Sequence, residues 1–212
     1  TIGAITTPAG ASVPSRTITG VKAGESGGTA GDVVLSADAM TFDKTVEGKG
    51  NLTIQQATAA TNLNVGATGT GLNLPENLFG GAKIKDGFKH VYLGREDATG
   101  ATKVGGNLNF VDPTTIRSGA TAGSMTVDGS ANIQTNGNDF ALESKNLTTD
   151  AGSNVDTGTG ALTLKTDAID LNGKMKGKKA LNILPISHNR DIKLGGTVND
   201  PAKLSLLDKY FN

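Results

Sequence analysis

A long internal repeat constrains the fold of this sequence more than any other feature. Residues 31–66 align without a gap with residues 160–195, 129 positions later, and nine of the 36 aligned residues are identical. After a three-residue insertion the similarity continues, so the two copies span about 31–79 and 160–211. Self-similarity at a fixed period is typical of proteins whose units pack on their neighbours. The identical pairs are Gly31/Gly160, Leu35/Leu164, Asp38/Asp167, Ala39/Ala168, Gly48/Gly177, Lys49/Lys178, Leu52/Leu181, Ile54/Ile183 and Gly66/Gly195.

Short apolar–polar–apolar triplets recur along the chain. Leu52-Thr53-Ile54, Leu63-Asn64-Val65 and Leu162-Thr163-Leu164 are examples, and each predicts a short strand with one face inward. Clusters of Gly, Asn, Asp, Ser and Thr separate the triplets and indicate frequent turns. Apolar residues at helical spacing are not sustained, so we expect little or no helix.

The composition favours an elongated all-β fold. Thirty glycines, 4% aromatic residues and no tryptophan leave a core of thin aliphatic layers. Because Asn-Gly and Asp-Gly hairpin signals are few, parallel coiling explains the triplets better than an antiparallel sandwich. We therefore predict a parallel β-helix, with about 18 to 22 residues per coil and about 10–12 coils in the chain. The 129-residue unit would then make six or seven turns.

We expect residues 1–212 to form a single segment of a longer repetitive chain, because a solenoid with uncapped ends exposes strand edges. The sequence contains no cysteine, which excludes disulfides and thiolate chemistry. No apolar run approaches the length of about 20 residues that a membrane helix needs. The formal net charge is zero, with 20 basic and 20 acidic residues mixed along the chain. Nucleic acid is therefore not an expected partner.

Two stretches resemble elements of a known family. The stretch 191–196 followed by 204–211 resembles a strand–glycine–strand element of large bacterial exoproteins related to filamentous haemagglutinin. The stretch 90–100, HVYLGREDATG, resembles the element that follows it there, and here it follows the earlier copy of the first element. The likeness covers roughly residues 30–212. The family's NPNG- and NPNL-type secretion motifs do not occur in this sequence.

The resemblance implies a fold and a role. It implies a right-handed parallel β-helix and membership of the two-partner secretion family, whose chains leave the cell through an outer-membrane transporter. It also implies a secreted or cell-surface location and a role as an adhesin or extracellular fibre.

The candidate chemical sites are weak, and each has a plain structural alternative. His90 and His188 are 98 residues apart, so surface histidines explain them better than a shared metal or proton shuttle. The stretch 27–32 is similar to calcium-binding glycine–aspartate turns but occurs once, and a plain turn explains it. The basic stretch 174–179 could contact anionic glycans or be a solvated loop. The Asn51 and Asn146 sequons are near chance for this composition.

The strongest polar cluster is Arg95, Glu96, Asp97 and Arg117. With a coil near 22 residues, Arg95 and Arg117 would stack on one face, as in the groove of a β-helix polysaccharide lyase. A solvated salt-bridge ladder explains the same residues, and the chain lacks the clustered aspartates of an acidic-glycan site. We therefore predict no catalytic residue, no metal and no cofactor.

The function that we predict is structural and adhesive, without catalysis. Loops of a rigid solenoid would contact glycan or protein ligands of the host, the matrix or neighbouring cells. The alternatives are a β-helix polysaccharide lyase or hydrolase and a filament subunit that associates end to end. A buried inward Leu181 is one prediction of the solenoid, because its replacement by Asp would then bury an unpaired charge.

Overall fold

The structure is a computed structural model of the chain, and it describes residues 16–18, 21–22 and 31–210. These residues form short strands and two single 3₁₀ turns, Glu76–Leu78 and Asp208–Tyr210. The predicted all-β class with little helix is confirmed. The strands are β1 Arg16–Ile18, β2 Val21–Lys22, β3 Val33–Ser36, β4 Met40–Phe42, β5 Val46–Glu47, β6 Asn51–Gln55, β7 Leu63–Val65, β8 Leu72–Leu74, β9 His90–Leu93, β10 Ala101–Val104, β11 Asn107–Asn109, β12 Thr114–Arg117, β13 Ser124–Val127, β14 Asn132–Gln134, β15 Phe140–Glu143, β16 Asn146–Thr149, β17 Asn154–Asp156, β18 Leu162–Lys165, β19 Ala168–Leu171, β20 Lys174–Lys176, β21 Leu181–Leu184, β22 Ile192–Leu194 and β23 Leu204–Leu206.

All described strand pairs are parallel, and most of them join strands of successive coils. The longest sheet has seven strands in the order β21-β18-β15-β12-β9-β6-β3, and a second has six in the order β19-β16-β13-β10-β7-β8. A third, four-stranded sheet is ordered β11-β14-β17-β20. From β9 to β20 each coil contributes one strand to each of the three sheets. The predicted parallel β-helix is confirmed, and its right-handedness remains a prediction.

The coils are fewer than the sequence predicts, because some of them are longer. Along the seven-stranded sheet, Val33 pairs with Leu52 and Leu52 with Val91, so the second coil is much longer than the first. The extra residues form β8, a 3₁₀ turn and a loop before β9. The solenoid has about seven turns, not the predicted 10–12. The 129-residue offset between the two copies aligns β3 with β18, which lies five strands away in this sheet. The unit therefore makes five turns, whereas the sequence predicts six or seven.

The two copies of the repeat have the same local topology. In the first copy β8 pairs with β7 and lies against β4, on the side of β7 that faces earlier coils. In the second copy β23 pairs with β22 and lies against β19 in the same way. A 3₁₀ turn follows β8 and β23 alike. The sequence repeat is therefore a structural repeat.

Inward side chains of the seven-stranded sheet stack into two columns. Ile54, Leu93, Ile116, Leu142 and Leu164 form part of one column, and all five are fully buried. Stacked aliphatic residues of this kind supply the hydrophobic stabilisation that a chain without tryptophan needs.

Three phenylalanines fill a wider part of the interior. The rings of Phe79 and Phe110 meet edge to face with centroids 5.0 Å apart, and Phe110 stacks on Phe140 at 5.5 Å. The aromatic side chains are thus concentrated next to the long coil, where the chain has most volume to fill.

Buried hydroxyls satisfy the backbone at the corner after the seven-stranded sheet. Ser118, Ser144 and Thr166 each follow a strand of that sheet and are buried. Ser144 Oγ donates to the Asn146 carbonyl at 2.7 Å, and Thr166 Oγ1 donates to a carbonyl at the start of β19. Small residues turn each corner here because their hydroxyls replace the missing ladder hydrogen bonds.

The predicted burial of Leu181 is wrong. Leu181 pairs with Leu162 in the inward register, but its side chain is 56% exposed. Leu162, one coil earlier, is 1% exposed. Burial in a solenoid requires a coil on both sides, and β21 has a neighbour on one side only among the described residues.

Candidate functional site

The predicted polar cluster lies on the outer surface of the seven-stranded sheet. Arg95, Glu96 and Asp97 follow β9, and Arg117 ends β12, the next strand of the sheet. Ile116 pairs with Leu93, so Arg117 lies one position before the level of Arg95 rather than directly above it. Both arginines line one open groove of about 490 Å³, as the sequence predicts for a shared face.

Carboxylate and backbone oxygens accept hydrogen bonds from all three nitrogens of the Arg95 guanidinium. Its Nε and Nη2 donate to the two carboxylate oxygens of Asp97, both at 2.8 Å. Its Nη1 donates to the carbonyls of Ala57 at 2.7 Å and Gln56 at 3.2 Å. The hydrogen bonds that Arg95 donates to Asp97 raise the pKa of Arg95, and the same contact lowers the pKa of Asp97. Arg95 thus fastens the corner after β9 to the coil below it.

Arg117 is held by two carboxylates and an aromatic ring. Its Nη1 lies 2.9 Å from Glu96 Oε1, and its Nε donates to Glu143 Oε2 at 3.2 Å. The guanidinium carbon lies 3.9 Å from the centre of the Tyr92 ring, a distance that allows a cation–π interaction. Its exposed partner Glu96 adds little stability, whereas the Tyr92 contact fixes the orientation of the side chain.

His90 belongs to the same surface. Its ring stacks on Tyr92 with centroids 4.3 Å apart, and Nε2 lies 2.8 Å from Thr115 Oγ1. Burial lowers the pKa of His90, and the nearby Arg117 charge lowers it further. A neutral imidazole is therefore favoured at physiological pH, and it can exchange a hydrogen bond with Thr115 as donor or acceptor. We name His90, Tyr92, Thr115 and Arg117 the His90–Arg117 patch.

The geometry of the groove suits binding better than proton transfer. Each guanidinium is already paired with carboxylates, so neither presents an unpaired positive charge to an acidic sugar. Among residues 16–18, 21–22 and 31–210, no group of three or more His, Cys, Asp or Glu side chains is placed to hold a metal ion. The patch offers an aromatic ring, an imidazole and a guanidinium, which are groups that contact glycans and polar peptides, whereas the Thr115 hydroxyl is buried beneath them.

The other sequence candidates lie apart from this groove. His188 is exposed in the segment between β21 and β22. Residues 27–30 of the glycine–aspartate stretch lie outside the described residues, and Asp32 accepts a hydrogen bond from the backbone of Asn51 at 2.7 Å. The basic stretch 174–179 forms β20 and an exposed turn, where Lys179 Nζ lies 3.1 Å from Asp139. The sequon asparagines begin β6 and β16.

Sequence reasoning missed a clamp that both copies of the repeat contain. Thr58 donates from its backbone N–H to Asp38 Oδ1 at 2.9 Å and from its hydroxyl to Oδ2 at 2.7 Å. Ser187 contacts Asp167 through the same two donors, the backbone one at 3.0 Å. The identity of Asp38 and Asp167 in the repeat, together with the hydroxyl 20 residues after each, was the available signal.

A buried carboxyl near the long coil is a second missed feature. Asp112 is 4% exposed, and its Oδ1 accepts a hydrogen bond from the Gly87 backbone at 2.9 Å. Its Oδ2 has no hydrogen-bond partner. Burial raises the pKa of Asp112, and the neighbouring Asp86 adds to the shift. The carboxyl closes one side of a small cavity lined mainly by apolar atoms, so it is part of the packing of the long coil.

Compared with models of protein families, with curated proteins and with solved structures, the chain gives no significant match. Within the described ranges, no helix has the length and apolar character required to cross a membrane.

Proposed function

We propose that this chain is a rigid structural and adhesive segment of a secreted bacterial surface exoprotein, similar to filamentous haemagglutinin. The solenoid extends the exoprotein away from the cell surface, and its lateral surface contacts ligands of the host, the matrix or neighbouring cells. Export through an outer-membrane transporter belongs to the same proposal, and it is supported by the resemblance of residues 90–100, 191–196 and 204–211 to that family.

One observation carries the spacer role. Seven strands stack in parallel along one sheet, with an aliphatic column beneath them that has no break from Leu35 to Leu164. A hydrogen-bonded stack on a continuous apolar interior resists bending, because bending separates paired strands and exposes the core. The 129-residue repeat adds five strands to that sheet without changing its register. Duplication of the unit lengthens the rod and leaves its cross-section unchanged.

The His90–Arg117 patch is the surface that we assign to adhesion. It combines a half-buried tyrosine with imidazole and guanidinium groups on two adjacent strands of the sheet. Tyrosine and arginine are the residues that contribute most at protein interfaces. The ligand class is a glycan or a polar protein surface, since the patch carries paired rather than free charge.

The alternative function is a polysaccharide lyase or hydrolase that uses the groove beside Arg95 and Arg117. The shared groove favours it, and the pairing of both guanidiniums with carboxylates does not. An assay with soluble polyuronates separates the two functions. Release of unsaturated sugars by a lyase, or of new reducing ends by a hydrolase, that requires Arg117 would replace the adhesive proposal with the enzymatic one.

Spin labels test the spacer role. The chain has no cysteine, so Val34→Cys and Asn182→Cys place two labels at outward positions in the first and last strands of the seven-stranded sheet. Six strand spacings separate these backbones by about 29 Å. We expect one narrow distance distribution by pulsed electron paramagnetic resonance. The pair Val34→Cys and Thr163→Cys is the control and should be shorter by about 5 Å. A broad distribution for both pairs would contradict a rigid spacer.

Bead adhesion tests the second part of the proposal. Beads that carry the chain should be retained on cultured epithelial cells or extracellular matrix, and Tyr92→Ala should reduce retention several-fold. Asn182→Ala, at an exposed outward position on β21 four strands away in the same sheet, is the matched control and should leave retention unchanged. Retention no greater than that of albumin-coated beads would remove the adhesive role and leave the spacer role standing.

A further inference from the structure

The chain contains two Asp-Pro peptide bonds, Asp112–Pro113 and Asp200–Pro201. In each of them the aspartate carbonyl is joined to a tertiary amide nitrogen that carries no hydrogen. A side-chain oxygen of the aspartate can reach the carbonyl carbon of its own residue by closing a five-membered ring. Such an intramolecular attack gains from proximity, provided that the carboxyl is free and correctly protonated. The surroundings of each aspartate therefore decide how stable its bond is.

The Asp112 carboxyl is buried and has one free oxygen. Its exposed fraction is 4%, and the Gly87 backbone N–H donates to Oδ1 at 2.9 Å, whereas Oδ2 has no hydrogen-bond partner. The carboxyl lines a cavity of about 10 Å³, which has room for about one water molecule. The oxygen that would attack is therefore not engaged elsewhere.

The carbonyl group of Asp112 is polarised by a buried hydroxyl. Thr114 Oγ1 donates to the Asp112 carbonyl oxygen at 2.9 Å, and both residues are buried. A donor at this position stabilises the negative charge that develops on the oxygen when the carbon becomes tetrahedral. The backbone beyond the bond is also fixed, because the Val91 N–H donates to the Pro113 carbonyl at 2.8 Å.

Burial keeps the Asp112 carboxyl protonated to a higher pH than that of an exposed aspartate. Loss of solvation raises its pKa, the hydrogen bond from Gly87 opposes that shift, and the charge of Asp86 adds to it. Asp86 is exposed on the loop before β9, and the Lys49 ammonium lies beside Gly87 on the same side. In mild acid, Asp112 can therefore supply both the attacking oxygen and a proton.

The second Asp-Pro bond provides an internal comparison. The Asp200 carbonyl also accepts a hydrogen bond, from the Lys203 backbone at 3.0 Å. The Asp200 carboxyl, however, is only half-buried, and its Oδ1 accepts a hydrogen bond from the Ala202 backbone at 2.9 Å. The two bonds thus differ in the burial of the carboxyl rather than in the polarisation of the carbonyl.

We propose that Asp112–Pro113 is a self-cleavage site, at which the chain divides between β11 and β12. Asp112 Oδ2 attacks the Asp112 carbonyl carbon, the carbon–nitrogen bond to Pro113 breaks, and the carboxylic acid proton passes to the Pro113 nitrogen. The first product is a cyclic anhydride, which one water molecule opens to two carboxylic acids. The fragments are residues 1–112 and 113–212. Each molecule reacts once, so this inference goes beyond the proposed function and does not depend on it.

Mass spectrometry of the folded chain tests the site. At about pH 5, where the carboxylates paired along the rod remain charged, we expect fragments that end at Asp112 and begin at Pro113. Cleavage after Asp112 should be at least about tenfold faster than cleavage after Asp200. Unfolding in urea at the same pH should slow cleavage after Asp112 and make the two rates similar. Hydroxylamine should trap the anhydride and leave a hydroxamate on the Asp112 side chain, which a contaminating protease cannot form.

Three positions separate the roles of the groups. Asp112→Asn should slow cleavage at least about tenfold, because the attacking oxygen and its proton are lost. Thr114→Val should slow it several-fold, and Thr114→Ser, which keeps the hydroxyl, is the matched control. Asp86→Asn should move the pH profile of the rate to lower pH, because a charge that raises the pKa of Asp112 is removed.

Several results would overturn the proposal. An intact folded chain after prolonged incubation in mild acid would do so, and so would equal rates at the two Asp-Pro bonds. Faster cleavage after Asp112 in the unfolded chain would show that the fold protects the bond instead of activating it. An unchanged rate in Asp112→Asn would assign the cut to another agent.

Discussion

Thr102 and Thr114 occupy similar inward positions on buried strands, but only one hydroxyl has a partner. Thr114 Oγ1 donates to the Asp112 carbonyl at 2.9 Å, whereas Thr102 Oγ1 is buried without a partner. The sequence does not distinguish them, because each stands where an aliphatic residue would complete its column. A buried hydroxyl with a partner stabilises a fold, and one without a partner costs free energy.

Valine tests this difference. We expect Thr102→Val to raise the free energy of unfolding by about 1 kcal/mol, because it removes an unsatisfied hydroxyl. Thr114→Val should lower that free energy by about 1 kcal/mol, because the hydrogen bond from Thr114 to the Asp112 carbonyl is lost. Urea unfolding followed by circular dichroism measures both. The same sign for the two variants would contradict the assignment.

The aspartate clamps give a second prediction at the scale of the residue. Asp167 is 2% exposed, whereas its repeat partner Asp38 is half-buried. Asp167→Ala removes a buried acceptor from the half-buried donors of Ser187 and should cost about 2 kcal/mol of unfolding free energy. Asp38→Ala should cost about 1 kcal/mol, since water replaces the lost carboxylate more easily.

Asp43→Ala provides the control for the clamps. Asp43 is exposed, and its replacement should change the unfolding free energy by less than about 0.5 kcal/mol. Equal losses in Asp167→Ala and Asp38→Ala would show that burial does not set the strength of the clamp.

For a strand, the sequence predicts which side chains point inward, and the number of adjacent coils decides whether they are buried. The alternation of β6 and β21 is the same, and Ile54 and Ile183 pair with inward residues of neighbouring strands. Ile54 is nevertheless fully buried, whereas Ile183 is only partly buried. Local pattern therefore predicted the strands, and it could not predict their surroundings.

Repeat-equivalent leucines test this point. We expect Leu52→Asp to prevent cooperative folding, or to cost more than about 3 kcal/mol, because it buries an unpaired charge between two coils. Leu181→Asp should cost less than about 1 kcal/mol, because the side chain is 56% exposed. Thermal unfolding of the two variants measures the contrast. Similar losses would contradict the exposed position of Leu181.

Over the whole molecule, the sequence predicted the parallel solenoid but not the number of its coils. The triplets and the repeat specify strands and their stacking. They do not reveal how much chain lies between successive strands of one sheet, and the segment between β7 and β9 carries an extra strand and a 3₁₀ turn. The proximity of Arg95 and Arg117 followed from the spacing, whereas their carboxylate and tyrosine partners come from two different coils.

Charge pairs along the rod predict its response to acid. Hydrogen bonds from Lys103 and Ser130 lower the pKa of Asp128 from 3.8 to about 2. Bonds from other coils also lower the pKa values of Asp139 and Asp170. A carboxyl whose pKa is lower in the folded chain contributes stability above its unfolded pKa, and that stability is lost as the pH falls through the folded value.

The free energy of unfolding should therefore fall between about pH 4 and pH 2. Asp128 accounts for about 1 kcal/mol of the fall, because solvent screens its exposed pair with Lys103. Urea titrations across this range measure the change, and Lys103→Met should reduce it. A stability that is constant down to pH 2 would contradict the ion-pair assignment.

Strands β8 and β23 set an order of events for a chain that folds as it emerges. Strand β8 lies between β7 and β4 of the earlier coil, although it follows β7 in the chain. Strand β23 lies in the same way between β22 and β19, although it follows β22 in the chain. Strands that pair in chain order would therefore leave a gap beside β7 and beside β22 until β8 and β23 fill it. The repeat thus constrains the order in which strands can pair as well as their final arrangement.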